Sequence, residues 1–282
     1  MRLPSVLSIA GSDSSGGAGI QADIKTAVSN GVYAMSAVTA LTAQNTMGVT
    51  GIHEVPPEFL GAEIDAVFED IRPDAVKVGM VSSPSLVRVI AEKLFIHGAA
   101  HIVVDPVIIA ASGSRLASEG AADVLAAELF PMAEIITPNL PELFVLDKIA
   151  GGSPENAETY NAMDARVEAA KRVMSRFGAA VLAKGGHAAG RSDDVLVTQG
   201  GVEIFPAERI HTMNTHGTGC TLSTAIASNL AKGMMLSDAV RRTKAFVTGA
   251  LSAGLDLGNG SGPLHHGFAM QSEFLGAGTD NA

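Results

Sequence analysis

Ser5-Val6-Leu7-Ser8-Ile9-Ala10 runs into Gly11-Ser12-Asp13-Ser14-Ser15-Gly16-Gly17-Ala18-Gly19. A short apolar run closed by a glycine-rich loop reads as a buried strand. Residues 20–29 then read as a helix. Working outward, the same alternation recurs. Strands are expected at 32–41, 75–80, 101–105, 134–137 and 180–184. Helices are expected at 57–71, 83–97, 117–130, from Asn139, at 164–177, 222–232 and 236–255. Residues 194–197 and 202–205 read as a hairpin turned at Gly200-Gly201. Alternation of this kind implies an α/β fold of right-handed βαβ units, with a mostly parallel central sheet and helices on both faces. No repeat or long linker divides the chain, so 1–282 reads as one domain. The Gly-rich stretch from 258 reads as loosely packed, and flexible from about 267.

Composition narrows the class. Aromatics are 4% and Trp is absent, so the core must be aliphatic, as in buried parallel sheets. A net charge of −10 with no Lys/Arg cluster argues against a nucleic-acid footprint. The single Cys forbids an internal disulfide and fits a reducing, cytoplasmic setting. Asp13 follows the first apolar run too soon for a signal peptide, and no 18-residue uncharged apolar run offers a membrane span.

In such sheets the ligand sits at the carboxyl ends of the strands. There lie Gly11 to Gly19, Gln44, Met80, Asp105, Asn139 with Glu142, and Lys184. A second glycine stretch, Asn214-Thr215-His216-Gly217-Thr218-Gly219-Cys220-Thr221-Leu222-Ser223, opens a helix. Its unpaired first N–H groups and the helix dipole suit a phosphate. The bland reading, of equal weight on this stretch alone, makes Cys220 a small apolar filler. Gly17-Ala18-Gly19-Ile20-Gln21-Ala22 fits the loose dinucleotide pattern. The next strand ends Thr42-Ala43-Gln44-Asn45 without the ribose-binding acid, which argues against NAD. The absence of any Gly-Lys pair excludes a P-loop. Asp105 before Pro106 also reads as a turn acid. Asn139-Leu140-Pro141-Glu142 reads either as a capping box or as a carboxylate beside a magnesium–phosphate group. His216 reads as a packing or capping residue.

Seven blocks together resemble the bacterial hydroxymethylpyrimidine/phosphomethylpyrimidine kinases of thiamine biosynthesis, within the ribokinase-like superfamily. They are 9–26, 40–46, 77–80, 104–107, 137–142, 184–187 and 215–221, in family order. The resemblance implies a ribokinase-like three-layer sandwich, ATP and Mg2+ as cofactors, and a homodimer. It implies pyrimidine contacts at Gln44, Gly11, Asp23, Met80 and Val107. It places Cys220 as the catalytic base, with Gly217 and Gly219 forming the anion hole. ATP contacts fall at Lys184, Thr218, Thr221 and Asn139, and metal contacts at Glu142 and Asp105. A thiol at a helix N-terminus is expected to have a lowered pKa and so to accept the substrate's proton. The competing readings are a pyridoxal kinase of the same superfamily, a non-catalytic nucleotide-binding regulator and a cysteine hydrolase. Gly113-Ser114 and the Ala188-Ala189-Gly190-Arg191 stretch read as mobile loops.

Overall fold

A computed structural model describes residues 2–107, 120–186, 188 and 190–271. The first half supplies β1 (Ser5–Asp13), α1 (Gly19–Ser29), β2 (Tyr33–Asn45), β3 (Gly48–Glu54), α2 (Pro57–Asp70), β4 (Ala75–Val78), α3 (Pro84–Ile96) and β5 (Ile102–Val104). The second half supplies α4 (Ala121–Val124), β6 (Ile135–Ile136), α5 (Leu140–Ile149), α6 (Met163–Phe177), β7 (Ala180–Ala183), β8 (Asp194–Thr198), β9 (Gly201–Phe205), α7 (Thr218–Ala231) and α8 (Leu236–Ser252). They form one sheet in the order β3-β2-β1-β4-β5-β6-β7-β8-β9. The six strands β2-β1-β4-β5-β6-β7 are mutually parallel, β3 pairs antiparallel with β2 at one edge, and at the other β8 pairs antiparallel with β7 and β9 antiparallel with β8.

The buried strands look uniformly apolar because each feeds two cores. Val6, Ala75, Val103, Ile135 and Leu182 point to the face covered by α1, α7 and α8. Leu7, Val76, Val104, Ile136 and Val181 point to the face covered by α2, α3, α5 and α6. Period-two side chains thus sort a continuous apolar run into both layers. From β1 the chain first builds outward to β2 and β3, then crosses to β4 on the other side. The strand order therefore reverses between β1 and β4, where an open α/β sheet leaves a crevice.

Several expectations need correction. β2 continues to Asn45, and β3 has no counterpart among the expected strands. Most of Gly48–Glu54 is exposed, so it carries no apolar alternation, and its pairing with β2 comes from the sheet edge. Within the helix expected at 117–130, α4 gives way to a π turn at Leu125–Leu129 and a 3-10 turn at Phe130–Met132. Pro131 lacks the N–H that a regular helix needs there. α7 starts four residues before position 222, and α8 ends at Ser252 rather than 255. The stretch from 258 is not loose where it is described. Ser261 N–H donates to Thr46 O at 3.0 Å, His216 N–H donates to Gly262 O at 3.0 Å, and Leu264 and His266 are buried. A Cβ at Gly260 would lie 2.1 Å from Thr46 O, so the strap passes in direct contact with the β2–β3 turn. Gly113-Ser114, residues 117–119, Ala189 and the tail 272–282 lie outside the described residues.

Candidate active site

Two glycine loops meet at the switch point, and their contact explains their glycines. A Cβ on Gly217 would sit 1.9 Å from Gly17 O, and one on Gly17 would sit 2.4 Å from His216 Cδ2. Gly217 also has φ 82°, a conformation open to glycine. The first loop wraps around its own acid. Asp13 accepts from the N–H groups of Ser15 (2.9 Å), Gly17 (3.0 Å) and Ala18 (2.8 Å), and from His216 Nε2 at 2.8 Å. Burial alone would raise its pKa, but the bonds from His216, Ser15 and Ala18 outweigh it and hold the carboxyl near 2. The 11–19 loop is therefore a nest for an internal carboxylate, which accounts for its dinucleotide-like spacing without a dinucleotide.

Gln44 stands beside this junction. Its side-chain nitrogen lies 3.2 Å from His216 Nε2, and its oxygen lies 3.0 Å from Thr42 Oγ1. Nε2 of His216 must carry a proton to face the Asp13 carboxylate, so two donors would meet there. The Thr42 hydroxyl already gives its one proton to Ser12 O at 2.9 Å. Exchanging the amide's O and N resolves both conflicts. Gln44 Oε1 then shares, as a longer second acceptor, the His216 Nε2 proton held by Asp13, and Gln44 Nε2 donates to Thr42. His216 and Thr42 thus orient the amide that faces the cavity.

Cys220 lies in the first turn of α7 and is partly open to the cavity. The Gly19 N–H on the first loop favours the Cys220 thiolate. The expectation of a lowered thiol pKa is overturned. Burial pushes it up to about 11, Asp23 and Asp105 add to the rise, and Lys77 and the Gly19 N–H oppose it without cancelling it. Low-dielectric surroundings disfavour the thiolate more than the helix terminus favours it.

At the ends of β5 and β7, Asp105 Oδ1 accepts from Lys184 Nζ at 2.8 Å and from Thr137 Oγ1 at 2.9 Å. Burial would lower the Lys184 pKa, but the Asp105 and Glu142 carboxylates together outweigh it and raise the pKa. This pair abuts the first turn of α7: a Cβ on Gly219 would lie 3.3 Å from both Asp105 Oδ2 and Lys184 Nζ. Asn139 and Glu142 form the capping box. Asn139 Oδ1 accepts Glu142 N–H at 2.9 Å, and Glu142 Oε2 accepts Asn139 N–H at 2.8 Å.

One cavity of about 630 Å³ is lined by Gly11, Gln44, Met80, Asp105, Val107, Asn139, Glu142, Lys184, Gly217, Thr218, Gly219 and Cys220. Asp23 and Thr221 are not among its lining residues. Asp23 is fully buried against Ser8, Lys77 and Thr224, and Thr221 pairs with buried His266 at 2.9 Å. Asp13 and His216 also line the cavity, as do Lys244, Val247 and Thr248 of α8. The Asp13 spacing before Gly16-Gly17 and the position of His216 next to Gly217 were available signals. The inward face of α8 had none beyond helical periodicity. The loop after β7 is tethered, since Arg209 donates to the carbonyls of Gly186, Ala188 and Gly190.

The phosphomethylpyrimidine kinase family model matches residues 13–265. The hydroxymethylpyrimidine/phosphomethylpyrimidine kinase of Rhizobium meliloti is 47% identical over 265 residues, covering 92% of this chain and 96% of that protein. The chain spans about half (53%) of a thiamine biosynthesis bifunctional protein of Geobacter sulfurreducens, at 46% identity. The crystal structure of phosphomethylpyrimidine kinase from Clostridium difficile 630 superposes with a TM-score of 0.75 at 41% identity, over 87% of this chain and 98% of that one. The pyridoxal kinase of Staphylococcus aureus in complex with AMP-PCP and pyridoxal gives a TM-score of 0.84 at 29% identity, over 95% of each chain. The fold is ribokinase-like. With that fold, a cavity lined by Gln44, Lys184 and the 217–220 turn, and a family match over most of its length, the chain belongs to the phosphomethylpyrimidine kinase family.

Proposed function

We propose that the protein transfers the γ-phosphoryl of ATP to 4-amino-5-hydroxymethyl-2-methylpyrimidine and then phosphorylates the monophosphate to the diphosphate, for thiamine diphosphate biosynthesis. The observation that carries this reading is the placement of Gln44, Cys220 and the Lys184-flanked turn of α7 around one cavity.

The oriented Gln44 amide offers one acceptor and one donor to an aminopyrimidine edge. Gly11, Met80 and Val107 wall the ring. The hydroxymethyl group points toward Cys220. Helix geometry leaves the N–H groups of Gly217, Gly219 and Cys220 without intrahelical acceptors, while Thr218 N–H turns back to Thr215 O at 3.3 Å. Those N–H groups and the Lys184 ammonium face the transferring phosphoryl, where fixed dipoles stabilise developing charge. Thr221 contributes from behind, by anchoring α7 to His266.

Among the described residues no group of three or more His, Cys, Asp or Glu is placed to hold a metal. Magnesium keeps several waters and binds mainly through phosphates with one or two carboxylates. Glu142 is the carboxylate we assign to it, while Asp105 serves Lys184. Bound there, the ion would neutralise charge on the phosphates. Phosphoryl transfer depends chiefly on positioning and electrostatics, so a thiol that rests protonated suffices. Only its thiolate fraction takes the hydroxyl's proton.

No helix of the described residues is long and apolar enough to cross a membrane. The lone thiol is suited to a reducing cytoplasm. Exposed Leu41, Met47 and Ile52 on the β2–β3 edge support a homodimer, which light scattering would test.

The deciding assay incubates the protein with ATP and magnesium, in parallel with hydroxymethylpyrimidine and with pyridoxal, following products by mass. Pyrimidine monophosphate followed by diphosphate is expected. Pyridoxal phosphate alone would establish the second reading, which the Staphylococcus aureus neighbour motivates.

A further inference from the structure

Gln44 occupies a weak point of the sheet. The β1–β2 register ends at the Asp13–Thr42 pair, two residues short of it. On the other side the β2–β3 register slips between Ala43 and Gln44. A slip of this kind re-aims a side chain and interrupts the backbone ladder. One hydroxyl fills the gap. Ser14 Oγ accepts the Gln44 N–H at 2.9 Å and donates to the Gln44 carbonyl at 2.8 Å. A side chain thus takes the pairing that a longer β1 would have supplied. Ser14 is itself held, because Asp13 accepts the Ser15 N–H across it at 2.9 Å. The flanks of Gln44 have ties of their own, from Thr42 Oγ1 to Ser12 O at 2.9 Å and from Ser261 N–H to Thr46 O at 3.0 Å. Gln44 lines the cavity, and Ser14 is not among the lining residues.

We propose that Ser14 is a specificity-determining positioning residue: its two bonds to the Gln44 backbone fix where the amide stands, so that the site takes an aminopyrimidine in preference to an aldehyde-bearing 3-hydroxypyridine such as pyridoxal. This rests on reading the cavity as a pyrimidine site. With its backbone fixed and its amide held by Thr42 and His216, Gln44 presents one acceptor and one donor in a set order. An aminopyrimidine edge carries an amino donor beside a ring-nitrogen acceptor, so both bonds form. Superposed through the hydroxymethyl group, pyridoxal carries an aldehyde oxygen and a phenolic oxygen at those two places. The phenolic proton turns to the aldehyde or is lost, so both oxygens present lone pairs. The amide oxygen then faces an acceptor with no proton between them. A polar mismatch of this kind rejects a ligand only while the protein group cannot retreat from it. A Gln44 freed at its backbone would withdraw from pyridoxal and hold the pyrimidine less tightly.

The test compares Ser14→Ala, which removes the hydroxyl, with Ser14→Thr, which keeps it, in the full chain. Ser14 is exposed, so the fold should tolerate both, and circular dichroism and Tm accompany each variant. Calorimetry without ATP gives the Kd for hydroxymethylpyrimidine and for pyridoxal. The parent and Ser14→Thr should prefer the pyrimidine. Ser14→Ala should bind the pyrimidine about three- to tenfold more weakly, with pyridoxal unchanged or tighter. In steady-state rates the loss should fall on KM for the pyrimidine rather than on kcat. Hydrogen exchange over residues 40–47 supplies a readout without ligand, and the Gln44 amide should exchange about threefold faster or more in Ser14→Ala. Unchanged exchange, equal weakening for both ligands, or a preserved preference in Ser14→Ala would overturn the proposal while leaving the kinase reading in place. A parent protein with no preference for the pyrimidine would overturn both, and the product assay identifies that case.

Discussion

His216 Nε2 stands 2.8 Å from Asp13 Oδ2, across 203 positions of chain. This bond closes the two glycine loops on each other and fixes the proton on the histidine nitrogen that faces Gln44. The loops' glycines supply the close approach, and the Asp13–His216 pair supplies the register.

Removing the Asp13 charge should loosen that junction in a pH-dependent way. Its folded pKa of about 2 lies below the ordinary 3.8, so its contribution is present above about pH 4 and is lost as pH falls toward 2. The size is about 2 kcal/mol. Urea unfolding should show Asp13→Asn less stable by about that amount at neutral pH, with the gap closing in acid. An equal deficit at every pH would count against it.

His266 predicts a second, separate acid limb. Burial, with Lys25 and His265 adding, lowers its pKa from 6.5 to about 4, so it is neutral where it meets the Thr221 hydroxyl. A depressed histidine binds its proton more readily when unfolded, so stability holds above about pH 6.5 and declines toward pH 4. The loss approaches about 3 kcal/mol. His266→Gln should flatten this limb in thermal melts between those values. A melt as steep as the parent's would exclude His266 as its source.

Cys220→Asp separates the two phosphorylations. The thiol, pushed up to about 11, is neutral at working pH. A carboxylate there would stand as a like charge against an acceptor that already carries a phosphate. The second step should fall at least about tenfold more than the first, as measured by separate rates with each acceptor. Equal losses, or a spared second step, would argue that the thiol's neutrality is irrelevant.

Gly217→Ala and Gly233→Ala form a matched pair. Both glycines have φ near 80°, but a Cβ on Gly233 meets nothing within 4 Å, whereas one on Gly217 meets Gly17 O. Gly233→Ala should cost only the left-handed strain of about 1–2 kcal/mol and leave turnover intact. Gly217→Ala should also part the loops and lower kcat by about tenfold or more. Similar kcat in the two variants would mean the loop contact does not shape the transfer site.

Much of the fold was legible in sequence order because it is written in local pattern. Apolar runs between glycine and proline breaks marked the six parallel strands, and Gly200-Gly201 marked the β8–β9 hairpin. The capping box at Asn139 and Glu142 was legible for the same reason, since both bonds close within four residues. β3 and the 258–271 strap were not, because exposed polar segments take their shape from distant partners such as Thr46. Most of the expected site residues line one cavity, whereas the side chain of Asp23 lies in a buried charge pair and that of Thr221 against His266, outside that lining.

The sequence by itself determined which apolar runs become the six parallel strands, where the two glycine loops fall, and where one cysteine opens a helix. Tertiary structure alone decided that Asp13 meets His216, that the Gln44 amide is held between His216 and Thr42, and that the Cys220 pKa rises rather than falls. Those outcomes depend on distance through space and on exclusion of water, and neither quantity is carried by order along the chain.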